Sequence, residues 1–246
     1  MKIGPVQWKK RGGGGVAAIT FTGDAGNRID APIAQGLCQA VEEILFDPAV
    51  AVVSISSNGS DFCLGGAPPG DLPDWASALA SLKQPIVAVI QGAAVDEGAE
   101  LALIADIRIA SRSARFRWSH LCNGRIPSAG ATQRLPRIVG RARALDLLLS
   151  GRWLEAAEAE RIGLVTRRAP PHRIRAEGSA LARSLARKAP LALGYAKEAV
   201  VAGADMTLAQ GIRLEQDLYV LLQTTEDRAE GVRSFLERRP AKFRGK

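Results

Sequence analysis

The sequence predicts an α/β layer fold, on three observations. Residues 16–21, 50–56 and 85–91 are short β-branched runs bounded by Gly, Asp, Asn or Pro, the signature of strands. Between the first two, Ile33, Leu37, Val41, Ile44 and Leu45 recur at helical spacing. After Arg141 the pattern turns almost wholly helical. Strand–helix–strand alternation calls for right-handed crossovers, because a right-twisted strand feeding a helix packs back onto its sheet only that way.

In chain order, the first strand is read over 16–21, a helix over 32–46, a second strand over 50–56 and a third over 85–91. Residues 163–166 carry the last strand signal. Helical patterns cover 145–149, 156–162, 174–186, 191–201, 208–222 and 231–236. The expected division is an α/β core over 1–190 followed by a helical region over 191–246. The glycines at 12–15 read as a tight turn, because no GK[ST] follows to make a phosphate loop.

Length and composition narrow the function. A chain of 246 residues should bury roughly 70–75% of its unfolded surface, enough for a core without disulfides. With 47% hydrophobic and 24% charged residues, it is neither disordered nor a fibrous repeat. The apolar stretch over 85–95 is broken by Gln91 and Gly92 and is too short to span a bilayer, so no membrane role is expected. The basic N-terminus lacks the apolar centre of a signal peptide and reads as mature chain. Cys38, Cys63 and Cys122 form no CxxC and leave one over in any pairing, which points to a reducing cytoplasm. His120 and His172 lie far apart, so no zinc-ligand spacing exists and no metal is expected. The net charge of +8 concentrates after position 108 without interleaved aromatics. That reads as a solvated basic surface rather than a nucleic-acid platform, with a phosphorylated small molecule left open.

The chemical signal lies in two turns. In the segment from Gly92 to Glu100 a strand ends near Gln91, glycines turn the chain, and Asp96 stands where a helix N-cap belongs. Free backbone N–H groups at such a start favour a developing oxyanion. A similar turn, Asp61-Phe62-Cys63-Leu64-Gly65-Gly66, follows the second strand. One donor from each could hold a single thioester oxygen.

These residues resemble the crotonase family, the enoyl-CoA hydratase/isomerase superfamily. The resemblance runs from about Val16 to the C-terminus. It is carried by Asp47-Pro48-Ala49-Val50, the Phe62-Cys63-Leu64-Gly65-Gly66 turn, and the run from Gln84-Pro85 through Gln91-Gly92-Ala93. It continues in Glu100-Leu101-Ala102, Ala105-Asp106, the run from Ile126-Pro127 to Arg134-Leu135, Gly140, Gly151, Gly163-Leu164-Val165, and the segment from Phe235 to Phe243. The family fold is a spiral of ββα units with a C-terminal helical oligomerisation region. The resemblance therefore implies an acyl-CoA thioester as partner, a homotrimer or homohexamer, and no cofactor beyond the CoA of the substrate.

By position the resemblance assigns the oxyanion hole to the N–H groups of Leu64 and Glu97, and the two catalytic glutamates to Glu100 and His120. Arg28, Gly65, Gly92, Trp118 and Lys242 are implied substrate contacts. Several of these depart from the pattern. Leu64 adds bulk where the family has small residues, and Glu97 brings a carboxylate, read here as a first-turn acid facing solvent. His120 replaces the second glutamate, so a Glu100–His120 pair would orient an imidazole rather than activate water between two carboxylates. Restoring glutamate at 120 is expected to restore hydration. Ser128 stands where some members carry aspartate, and the stretch from Gly66 to Gln84 is short, so the lid looks trimmed. Cys122 reads as core or inert thiol, and Ser119 and Ser128 do not make a hydrolase triad without a nucleophile elbow. The expected function is acyl-CoA processing through a stabilised enolate. The alternative is a catalytically silent acyl-CoA binder or scaffold.

Overall fold

The computed structural model describes residues 2–3, 5–11, 15–67 and 72–246. The expected tight turn at 12–15 and the lid residues 68–71 fall wholly or mostly outside them. The elements run β1 (Lys2–Ile3), β2 (Val6–Arg11), β3 (Val16–Phe21), α1 (Asp24–Asn27), α2 (Ala31–Leu45), β4 (Val52–Ser57), β5 (Cys63–Leu64) and α3 (Trp75–Ala80). Next come β6 (Ile86–Ile90), β7 (Ala93–Val95), α4 (Glu97–Ile104), β8 (Ile107–Ser111), β9 (Arg115–Arg117), a single 3-10 turn (His120–Asn123), α5 (Ala131–Val139) and α6 (Arg141–Ser150). The chain finishes with β10 (Leu154–Glu155), α7 (Ala156–Arg161), β11 (Arg167–Ala169), α8 (Ile174–Ala186), α9 (Pro190–Gly203), α10 (Leu208–Gln223) and α11 (Glu226–Leu236).

The expected spiral of ββα units is present. Each turn gives one strand to a seven-stranded sheet, ordered β1-β2-β3-β4-β6-β8-β11, and the next to a four-stranded sheet, ordered β10-β9-β7-β5. From β3 onward the large sheet is parallel, and β5, β7 and β9 are parallel in the small one. Register does the positioning. Leu64 pairs with Val95 and Val95 with Arg117, so successive turns of the spiral leave the small sheet side by side.

Period-two alternation sorts the large sheet into two faces. Ala17, Ile19, Phe21, Val53, Ile55, Ala88 and Ile90 face the main core, together with α2, α4 and α5. Val16, Val52, Val87, Val89 and Ile109 face the opposite side, where α8 lies with Ile174 and Ala182. The two clusters share no residue, so the sheet is a wall between them. The α2 helix starts where the sequence says it should: Asp30 accepts from the Ile33 N–H, and Pro32 occupies the first turn.

One strand is displaced from its expected place. The signal at 163–166 lies just before β11, because Gly163 takes a left-handed φ of 84° and Leu164 is held by a buried arginine. Arg108 donates to the carbonyls of Leu164, Ala102 and Ala105, capping the C-terminal end of α4. Burial lowers the Arg108 pKa, with nearby Asp106 opposing that shift.

Candidate active site

Close backbone approach brings the two turns together. At Gly98 an added Cβ would lie 2.3 Å from the Cys63 carbonyl oxygen, so only glycine lets α4 start this near β5. At Gly92, φ is 61° and an added Cβ would meet the Ser60 carbonyl at 2.2 Å. Gly92 is thus used for the crossing of two chain segments, and the neighbouring Ala93 N–H donates to Asp61 at 2.8 Å. Asp96, at a left-handed φ of 47°, turns the chain into α4. The expected N-cap bond is absent among the described residues, because the Asp96 carboxylate accepts instead from the Ser119 N–H and hydroxyl.

Glu100 is fully buried, and its carboxylate is held by backbone donors. The N–H groups of Ala129 and Ala131 reach Oε1 at 2.8 and 3.1 Å, and that of Ser128 reaches Oε2 at 3.4 Å. These donors come from the turn before α5 and from its first residue. His120, 1% exposed, packs alongside. Its Nε2 lies 3.5 Å from Glu100 and 3.8 Å from Glu97, and its Nδ1 lies 3.4 Å from Asp96. Among the described residues neither ring nitrogen has a hydrogen bond of full geometry, the Glu100 Oε2 contact lying at the outer limit of one.

Glu97 does not face solvent. It is 3% exposed, and its side chain runs back along the first turn, with Cβ and Cγ 3.2 Å from the position a Cβ would take on Gly66. Oε1 accepts from Arg125 Nη2 at 2.7 Å. Helix-dipole attraction does not decide its direction, because a charge-assisted bond to a half-buried arginine is stronger than exposure at a helix start. Leu64 turns its bulk away from this space, against Gly26.

The site is therefore a ring of three carboxylates, Asp96, Glu97 and Glu100, around one imidazole, with Arg125 on its rim. Burial alone would lower the His120 pKa. The bond-distance approach of Glu100 and the charges of Asp96, Glu100 and Glu97 together outweigh burial and raise it. The ring of carboxylates thus favours the charged form of the imidazole.

The remaining expected residues are placed unevenly. Arg28 and Gly65 join the cluster: an added Cβ on Gly65 would lie 3.5 Å from Glu97 Oε2 and 3.6 Å from Arg28 Nη2. Trp118 is 1% exposed and packs in the main core. Lys242 is tied to α11, where its N–H donates to Glu230, and it lines a C-terminal cavity with Asp227, Glu230 and Arg239. Cys122 is exposed near Gly151 and is not a core thiol, while Cys63 is buried and its thiol is pushed up to about 12, chiefly by burial. Sequence reasoning missed Asp96 as a neighbour of the imidazole and missed Arg125 altogether. Nothing in a chain with 33 Lys and Arg singles out Arg125 before folding.

Residues 11–246 match the family model described as enoyl-CoA hydratase/isomerase. A probable enoyl-CoA hydratase of Rhizobium meliloti is 36% identical over 89% of this chain and 90% of its own. The 2,3-dehydroadipyl-CoA hydratase of Escherichia coli is 33% identical over 90% of this chain and 92% of its own. Among solved structures, an enoyl-CoA hydratase subunit I from Geobacillus kaustophilus superposes with a TM-score of 0.92 at 32% identity, covering all of both chains. Sequence, fold and the pairing of the two turns agree: this chain belongs to the enoyl-CoA hydratase/isomerase, or crotonase, superfamily.

Proposed function

We propose that the chain processes acyl-CoA thioesters by holding a thioester enolate between the backbone N–H groups of Leu64 and Glu97, while Glu100 and His120 exchange a proton at the α carbon. The observation that carries this reading is the placement of Glu100. Its buried carboxylate is fixed by the Ala129 and Ala131 N–H groups, lies 3.5 Å from His120 Nε2, and sits one helical turn beyond Glu97. Loss of the α proton sends the C–H electron pair onto the thioester oxygen, where the two N–H donors offset the new charge. The Glu100 carboxylate takes that proton, and the charged His120 imidazole 3.5 Å away returns one to the α carbon. No metal or redox cofactor enters the proposal, because CoA arrives with the substrate.

Exchange of the α protons of butyryl-CoA into deuterated water, followed by NMR, tests the enolate step. Glu100→Gln should slow it by about 10²- to 10⁴-fold. Undiminished exchange in that variant would remove Glu100 from the mechanism.

One observation favours a second reading, a silent acyl-CoA binder. The Glu97 side chain and its bond to Arg125 lie along the Gly65–Gly66 turn, where the thioester would approach. Acyl-CoA binding by calorimetry with no α exchange in the unaltered chain would select this alternative.

We also infer a homotrimer or homohexamer. Val200, Val201, Leu208, Tyr219, Val220, Leu221, Phe235 and Leu236 of the last three helices are exposed, and an apolar surface of this extent favours a subunit contact. Light scattering at micromolar concentration should give at least three times the monomer mass, and a discrete monomer would refute it. Among the described residues no helix is long and apolar enough to cross a membrane. Three free thiols support a reducing, cytoplasmic setting.

A further inference from the structure

The sheet face turned away from the active site holds a second polar feature. Along β3 and β4, alternation delivers Ala18, Thr20, Ser54 and Ser56 to this face, beyond the edge of α8. A cavity of about 90 Å³ opens there. Three hydroxyls of its lining belong to the sheet, and a fourth, Ser179, belongs to α8. Arg11, Arg175 and Arg183 converge on the same cavity, and no acidic residue lines it among the described residues. Arg175 donates to the Ser57 carbonyl at 2.8 Å, and none of the three has a carboxylate partner among the described residues.

We propose that this cavity binds a single phosphate group, either free or as the end of a small phosphomonoester. Three arginines and no acidic residue among the described lining give the cavity wall a local positive charge, which a doubly charged oxyanion offsets. Guanidinium forks match tetrahedral oxyanions bidentately, and the hydroxyls supply further donors to the remaining oxygens. The volume fits one phosphate and its bound water rather than a nucleotide. Because the large sheet separates this face from Glu100 and His120, the site does not depend on the acyl-CoA reading.

The test uses the full chain at fixed pH and fixed ionic strength, so that general screening is held constant. Inorganic phosphate and methyl phosphate are each titrated by calorimetry and thermal unfolding, with sodium chloride as the matched control. Saturable binding with a rise in Tm is expected. Arg175→Gln/Arg183→Gln should weaken it at least about tenfold, the worth of a lost charge-assisted bond. Ser54→Asp, which puts a carboxylate into the cavity and leaves the arginines in place, should abolish it and decides the matter if the double variant does not fold. Binding of inorganic phosphate alone identifies free phosphate as the ligand, and binding of both identifies a phosphomonoester end. No saturable binding, or equal affinity in all variants, would overturn the proposal.

Discussion

The double variant Glu97→Gly/His120→Glu should hydrate crotonyl-CoA about a hundredfold faster than the unaltered chain, while His120→Glu alone should not. Sequence alone suggests the single change, because it restores the family's pair of glutamates. In the folded chain, position 120 already faces Asp96, Glu97 and Glu100. A fourth carboxylate there would meet three like charges with Arg125 and Arg28 too few to offset them, and one of the four would hold a proton instead of acting as a base. Removing the Glu97 side chain returns the number of carboxylates to three, frees Arg125 and clears the Gly65–Gly66 turn. Initial rates from the loss of enoyl-thioester absorbance measure the effect. Equal activity in the single and double variants would show that carboxylate crowding does not govern the site.

Replacing His120 by glutamine should cost about 3 kcal/mol of stability in mildly acidic solution, the order expected for removing one member of a buried ion cluster. The cost should shrink as pH rises. His120 is raised above its ordinary value in the folded chain, so its charge contributes fully below the unfolded value of about 6.5 and is lost as pH climbs through the higher folded one. Glutamine cannot charge, so the two stability curves converge in alkali. Urea unfolding of both proteins across pH 6 to about 9 checks this. A gap that is constant, or widens, with pH would mean that His120 is neutral in the folded state.

The fold was largely legible because its signals are local. The β3 strand falls on the β-branched run at 16–21 without shift, and α2 is fixed by the Asp30 cap, Pro32 and the Ile33–Ile44 stripe. The short strands β5, β7 and β9 carry two or three residues each, too few for any periodicity to register. They exist because the spiral brings their edges into hydrogen-bonding range. The β10 strand, of two residues, is set in the same way by its antiparallel pairing with β9.

What the sequence determined by itself was the order of chemical parts: two turns, Glu100 at the start of a helix, and His120 twenty residues later. Ordered motifs survive linear reading because each needs only its own backbone conformation and its near neighbours. The directions of side chains were decided by the tertiary structure. Glu97 turns inward because Arg125, twenty-eight residues away, reaches it with a bond of 2.7 Å. Asp96 gives up its capping role because Ser119 offers it two donors and the His120 ring lies beside it. Position along the chain carries no information about those partners. Charge and hydrogen bonding act over a few ångströms of space, and only the closed spiral brings these residues within that range.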